Sequence, residues 1–218
     1  MSSLPSPSPP RLSLLVKRAL DVALAAALLV ALSPILLAVA AVVKASSPGE
    51  VLFRQRRVGK DGRPFTILKF RTMVPDAPAS SLGTYCYADD PRVTAAGRFL
   101  RRTSLDELPQ LVNVLRGDMS FVGPRPDLPH HVERYTAEQR RRLAVRPGIT
   151  GWAQVNGRNV LPWSERIALD LRYLDGWTLG RDLKIVWRTF GVVLSRRGAS
   201  LPGRLGEGTG WDRTRTGP

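Results

Sequence analysis

One apolar run constrains this 218-residue chain more than any other feature. Between residues 22 and 43 every side chain is apolar except Ser33, which stands next to Pro34. A straight helix of about 22 residues is long enough to cross a hydrocarbon core of roughly 30 Å. The Ser-Pro pair opposes a straight helix. Pro34 lacks an N–H and its ring clashes with the carbonyl of Val30, which breaks or kinks a helix there. Ser33 is placed to hydrogen-bond a freed backbone group, as a break inside lipid requires. The two halves, residues 22–32 and 35–43, would be about 16 Å and about 14 Å long, so neither spans alone.

Three readings compete. A cleaved signal peptide would find a cleavage site at Ala38-Val39-Ala40, but the run exceeds the usual signal core of about 7 to 15 residues. A simple anchor with a proline kink stays open, although its flanks are basic on both sides. Lys17 and Arg18 precede the run, and Lys44, Arg54, Arg56 and Arg57 follow it. The positive-inside rule wants both flanks in the cytoplasm. A re-entrant hairpin, broken at Ser33 and Pro34, supplies that and is slightly favoured. It places both termini on the cytoplasmic side.

The formal net charge of +15 points to an anionic partner, for which nucleic acid, acidic lipid and phosphorylated metabolites all qualify. The single cysteine, Cys86, excludes an intrachain disulfide and a multi-cysteine zinc site, and suits a reducing compartment. The expected fold class is α+β and mainly helical, with a small β-hairpin and amphipathic interfacial helices on the membrane segment. The expected organisation is a disordered lead (residues 1–16), the membrane helix-break-helix (17–44), a cytoplasmic domain (45–197) and a disordered tail (198–218).

Within the domain, strand-type residues 51–53 and 65–68 flank Gly59-Lys60-Asp61-Gly62, whose Asp-Gly pair marks a hairpin turn. Residues 74–91 read as a long loop, and residues 110–115 as a helix stopped by Gly117. Residues 136–145 read as a basic helix. Leu183, Val186, Trp187, Phe190, Val193 and Leu194 recur at helical spacing. Core packing explains that stripe about as well as an interfacial helix, but Trp187 and the accompanying Lys184, Arg188, Arg196 and Arg197 favour the membrane surface.

The chemistry centres on residues 101–109, Arg-Arg-Thr-Ser-Leu-Asp-Glu-Leu-Pro. Ser104 and Glu107 have capping-box spacing, which would start a helix near Leu105; a start nearer Pro109 is the alternative. Either way Asp106 and Glu107 lie near a positive helix end. Neighbours on a helix point about 100° apart, so the two carboxylates would take different jobs, one attacking phosphorus and one binding a metal. Taken alone, the segment is better explained as plain capping. Two basic sites shift that balance: Lys69-Phe70-Arg71-Thr72-Met73, and Gly123-Pro124-Arg125-Pro126, whose prolines would hold the Arg125 guanidinium ready for phosphate. His130 and His131 are adjacent, which is not metal-ligand spacing, and read as loop residues.

Together these segments resemble the bacterial sugar transferase family, the small monotopic phosphoglycosyl transferases. The matching stretches are residues 69–73, Asp89-Asp90-Pro91-Arg92-Val93-Thr94, residues 97–126 and residues 146–159, behind the Ser-Pro-interrupted apolar run. The likeness extends over roughly residues 17–194. It implies a broken re-entrant helix at the inner membrane of a bacterium, with the catalytic domain on the cytoplasmic face. It implies that Asp106 attacks the β-phosphate of a UDP-sugar, releases UMP, and passes the sugar-phosphate to undecaprenyl phosphate. Glu107 would help hold Mg²⁺, the expected cofactor, and Arg101, Arg125 and Lys69 would bind phosphate, with Arg158 contacting the nucleotide. The expected partners are the UDP-sugar, undecaprenyl phosphate and an anionic bilayer. A homo-oligomer stays open, and no sugar preference is legible. A non-catalytic scaffold of a polysaccharide assembly is the alternative. A nucleic-acid binder is disfavoured by the apolar run and the lack of a reading motif.

Overall fold

The structure is a computed structural model that describes residues 10–74, 90–157 and 161–195. The expected disorder of the extreme N-terminus and of the tail, most of the 74–91 loop, and the positions of Cys86, Asp89 and Arg158 lie outside the described residues.

Two helices carry the apolar run. Helix α1 covers Arg11–Ala31 and α2 covers Ser33–Ser46, with a bend of 64° between them. Ser33 Oγ donates to the Val30 carbonyl at 2.8 Å, the acceptor to which Pro34, four residues on, has no N–H to donate. Pro34 sits in the first turn of α2, where a missing N–H leaves nothing unpaired. No single described helix is long and apolar enough to cross a membrane, whereas the bent pair passes that test by length and composition. Helix α1 starts at Arg11, so residues 11–16 are helical and do not belong to the lead.

Lys17 and Arg18 are not free flanking charges. Lys17 Nζ donates to Asp182 Oδ2 at 2.5 Å and to the Val122 carbonyl at 3.1 Å. Arg18 donates to the carbonyls of Val114 and Leu115 at 2.7 and 3.0 Å, while buried Asp21 accepts from Phe121 N at 3.1 Å. Ala25 of α1 packs with Ile67, Leu111, Val114 and Met119, and Val39 and Val43 of α2 pack with Phe70 and Leu100. Both ends of the pair therefore rest on the same folded unit. Leu12, Leu15, Leu20, Val30 and Leu37 face outward.

The hairpin forms as expected. Strands β1 (Leu52–Val58) and β2 (Pro64–Phe70) pair antiparallel, and Asp61 and Gly62 take positive φ of 55° and 76° in the turn. A second pairing was not legible: β3 (Ser120–Val122) lies parallel to β4 (Gly148–Thr150). Between the sheets come α3 (Ala95–Thr103), a 3-10 turn (Leu105–Glu107) and α4 (Gln110–Arg116), which ends at Gly117 with φ 89°. Gly97 lets α3 meet the strand segment before it, since a Cβ there would stand 2.0 Å from the Thr72 carbonyl oxygen.

Two local readings need correction. Ser104 is not the start of a capping box. It takes a left-handed φ of 59° to end α3 and makes no side-chain capping bond to the following turn, so the start near Pro109 is the one realised. His130 and His131 lie in a one-turn helix, α5 (Pro129–Val132), not a loop, and His131 Nδ1 lies 2.6 Å from Asp127 Oδ1. The basic segment is a short helix, α6 (Ala137–Arg140), capped by Thr136 and Gln139 and continued as a 3-10 turn. Then follow α7 (Trp152–Val155), α8 (Trp163–Asp175) and α9 (Leu179–Ser195). On α9, Asp182 and Ile185 face the core. Leu183, Trp187, Phe190 and Leu194 stand out in solvent, Trp187 at 79% exposure, so core packing does not account for these four.

Candidate active site

The Leu105–Glu107 turn is aimed by the helix behind it. Asn113 of α4 is fully buried and pairs with β2 as a neighbouring strand would. Its Oδ1 accepts from Leu68 N at 3.0 Å and its Nδ2 donates to the Thr66 carbonyl at 2.7 Å. That pairing fixes α4 against β2 and brings Glu107 to Lys69, whose Nζ donates to Glu107 Oε1 at 2.7 Å.

Arg125 approaches from the other side. Its Nη2 donates to the same Oε1 at 2.6 Å, and its Nη1 lies 3.5 Å from Oε2. The loop beneath it is tied down residue by residue. Gly123 N donates to the Thr150 carbonyl, and the carbonyls of Pro124 and Asp127 accept from Gly148 N and Val58 N. The Arg125 carbonyl accepts from Arg142, and that of Pro126 from Arg57. Arg142 is itself buried and anchored to Asp170 at 2.9 Å. This set of backbone contacts acts together with the flanking prolines, and no local pattern could show it.

The two carboxyls are shifted in opposite directions. Burial alone would raise the Glu107 carboxyl, but the charges of Arg125 and Lys69 outweigh it and hold Glu107 well below the usual carboxylate range. Asp106 is 8% exposed and has no hydrogen bond or ion pair among the described residues. Burial, reinforced by the adjacent Glu107 charge, pushes its carboxyl up to about 6. Burial also lowers the Lys69 ammonium, partly offset by Glu107. Arg101, at the end of α3, donates from Nε to Thr72 Oγ1 at 2.8 Å; its charge acts on Asp106 without joining the Glu107 cluster. Of the anticipated site residues, Asp106, Glu107, Lys69 and Arg125 thus come together, and Arg101 lies alongside.

Gln110, three residues beyond Glu107, is 1% exposed and its amide has no hydrogen-bond partner among the described residues. Among the described residues no three His, Cys, Asp or Glu side chains gather to hold a metal. Mg²⁺ needs only one or two carboxylates, the rest coming from substrate phosphates and water. Glu107 Oε2, touched only at 3.5 Å, fits that requirement.

A buried, unpaired carboxylate ringed by cations suits attack on an anionic phosphorus centre. The sequence model of the family described as bacterial sugar transferase matches residues 12–196. The chain belongs to the bacterial sugar transferase family. This sugar transferase is 45% identical over 185 residues to the uncharacterized sugar transferase EpsL of Bacillus subtilis (strain 168), covering 85% of this chain and 90% of that one. It is 48% identical over 192 residues to a UDP-glucose:undecaprenyl-phosphate glucose-1-phosphate transferase of Caulobacter vibrioides, covering 82% and 70%. A protein of the same name in Escherichia coli (strain K12) is 47% identical over 183 residues, covering 80% of this sugar transferase but only 39% of the relative.

Proposed function

We propose that this sugar transferase moves a sugar-1-phosphate from a UDP-sugar to undecaprenyl phosphate, releasing UMP, in the membrane phase of exopolysaccharide or related glycoconjugate synthesis. That it is a sugar-phosphate transferase follows from its family and from relatives that carry that activity in their names. The observation that carries the mechanism is the division within the dyad, with Glu107 neutralised by two cations and Asp106 buried and unpaired.

In this reading an Asp106 carboxylate oxygen attacks the β-phosphorus of the donor. The bond from that phosphorus to the bridging oxygen breaks, and UMP leaves with the electron pair. An oxygen of the lipid phosphate then attacks the aspartyl sugar-phosphate and returns Asp106 as carboxylate. Lys69 and Arg125 keep Glu107 ionised and, with Arg101, offset the charge building on the phosphoryl oxygens. Mg²⁺, when held by Glu107, would neutralise phosphate charge in the same place.

The apolar surface supports a monotopic placement at the cytoplasmic face of the inner membrane. Ala25 of α1 and Val39 and Val43 of α2, on either side of the bend, pack on the same unit, an arrangement that suits a hairpin entering one leaflet. The exposed α9 stripe suits the interface. Cysteine labelling that finds residues near Lys17 and Lys44 on opposite sides of the membrane would defeat this placement.

The decisive experiment is nucleotide release from purified protein in lipid nanodiscs with Mg²⁺, undecaprenyl phosphate and a panel of UDP-sugars. UMP released with one donor, and lost in Asp106→Asn, is the expected result. UDP release would mean ordinary glycosyl transfer and a wrong mechanism. Neither product across the panel would favour a non-catalytic scaffold.

A further inference from the structure

Lys69 reaches Glu107 from one face of the hairpin, and two other polar side chains leave the sheet on that face. The register pairs Phe53 with Lys69, Gln55 with Ile67 and Arg57 with Phe65. Since side chains alternate along a strand, Gln55 and Arg57 share the side of Lys69. Gln55 Oε1 accepts from Arg57 Nε and Nη2 at 3.1 and 2.6 Å. Arg57 Nη1 donates to the carbonyl of Pro126, the residue after Arg125, at 3.2 Å.

These contacts use three of the five guanidinium N–H donors. They come from neutral acceptors, and no ion pair among the described residues includes Arg57. Lys69 and Arg125, by contrast, share Glu107. Burial and the neighbouring Arg125 charge outweigh the charges of Asp127 and Glu107 and bring the Arg57 guanidinium down to about 10, so it stays protonated at neutral pH. A desolvated cation beside a like charge, with donors left over, is relieved by an anion between the two.

We propose that Arg57, oriented by Gln55, forms with Arg125 a second phosphate subsite beside the dyad, in addition to the place where Asp106 attacks phosphorus. This rests on the phosphoryl-transfer reading, which supplies two sources for such a phosphate: the nucleotide half of the donor and the head of the lipid acceptor. Gln55 is a positioning residue in this scheme, because its hydrogen bonds among the described residues go to the guanidinium.

The test is calorimetric titration of inorganic pyrophosphate into the full chain in nanodiscs. Arg57→Ala should weaken binding roughly ten-fold or more, the usual effect of losing a charge-assisted contact. Gln55→Ala should weaken it several-fold, and Arg56→Ala, on the opposite exposed face, should change it less than about two-fold. Where Arg57→Ala fails to fold, Arg57→Gln carries the same expectation. Wild-type protein that takes up no pyrophosphate, or equal affinity in wild type and Arg57 variants, overturns the subsite. In turnover, a raised KM for the UDP-sugar alone assigns it to the nucleotide phosphate, and a raised KM for undecaprenyl phosphate alone assigns it to the lipid. Both KM values unchanged overturns it. Failure of the transferase reading would look different: pyrophosphate bound through Arg57, yet no UMP from any donor.

Discussion

Asp106 and Glu107 are chain neighbours, yet their ionisation differs because their surroundings do. Glu107 Oε1 receives two charged donors at 2.6 and 2.7 Å, and Asp106 receives none. In the proposed mechanism the attacking group is the Asp106 carboxylate, and that carboxyl is raised to about 6. Protonation on the acid side of that value removes the nucleophile, so the rate of UMP release should fall about ten-fold per pH unit below it and level off above it. A flat profile between pH 5 and 8, with chemistry limiting, would contradict the assignment. Two adjacent acids near a helix start and among basic segments were legible, but their reading as a dyad came from the resemblance to the family, since the segment alone reads as plain capping. The division of labour between them was not legible, since the Lys69 and Arg125 that create it lie 38 and 18 residues away. Arg57 and Gln55 were missed, although a signal existed: the Asp-Gly turn sets the register, and alternation along β1 then puts both on the face of Lys69.

At the scale of elements, α1 is joined to the domain by polar contacts as much as by apolar ones. Asp182 of α9 accepts from Lys17, from Tyr173 Oη at 2.7 Å and from Trp177 Nε1 at 3.3 Å. Asp182→Ala would leave the Lys17 ammonium buried without a counter-ion, and should lower stability by about 3–5 kcal/mol in denaturant unfolding. Lys17→Met combined with Asp182→Leu should recover much of that loss, because the unpaired charge is gone. A single-variant loss below about 1 kcal/mol would mean the ion pair is solvated. Helix α3 depends on close approach. Gly97→Ala places a methyl 2.0 Å from the Thr72 carbonyl oxygen, which forces the helix outward and pulls Arg101 from Thr72. The expected result is a lower melting temperature together with weaker donor binding. Unchanged values for both would show that the contact is soft.

For the molecule as a whole, charge and apolar surface act together. The chain carries a net +15 and leaves Trp187 and Phe190 79% and 62% exposed on one helix. If that stripe enters an interface, Trp187→Ser with Phe190→Ser should reduce partitioning onto anionic vesicles roughly ten-fold or more. The unfolding midpoint should not drop, since neither side chain supports the core. Partitioning that is unchanged while the midpoint falls would return the stripe to a packing role.

By itself the sequence determined what nearest neighbours decide: the break at Ser33-Pro34, the Asp61-Gly62 turn and the stop at Gly117. Each follows from backbone sterics or from periodicity within a few residues. Tertiary structure decided the rest. Only folding brought Lys69, Glu107 and Arg125 into one cluster, and turned Lys17 and Arg18 from flanking charges into half-buried links. Only folding also paired β3 with β4 across 28 residues and made Ser104 the end of one helix instead of the cap of the next. Those outcomes rest on desolvation and on hydrogen bonds between distant segments, for which a linear pattern carries no signal.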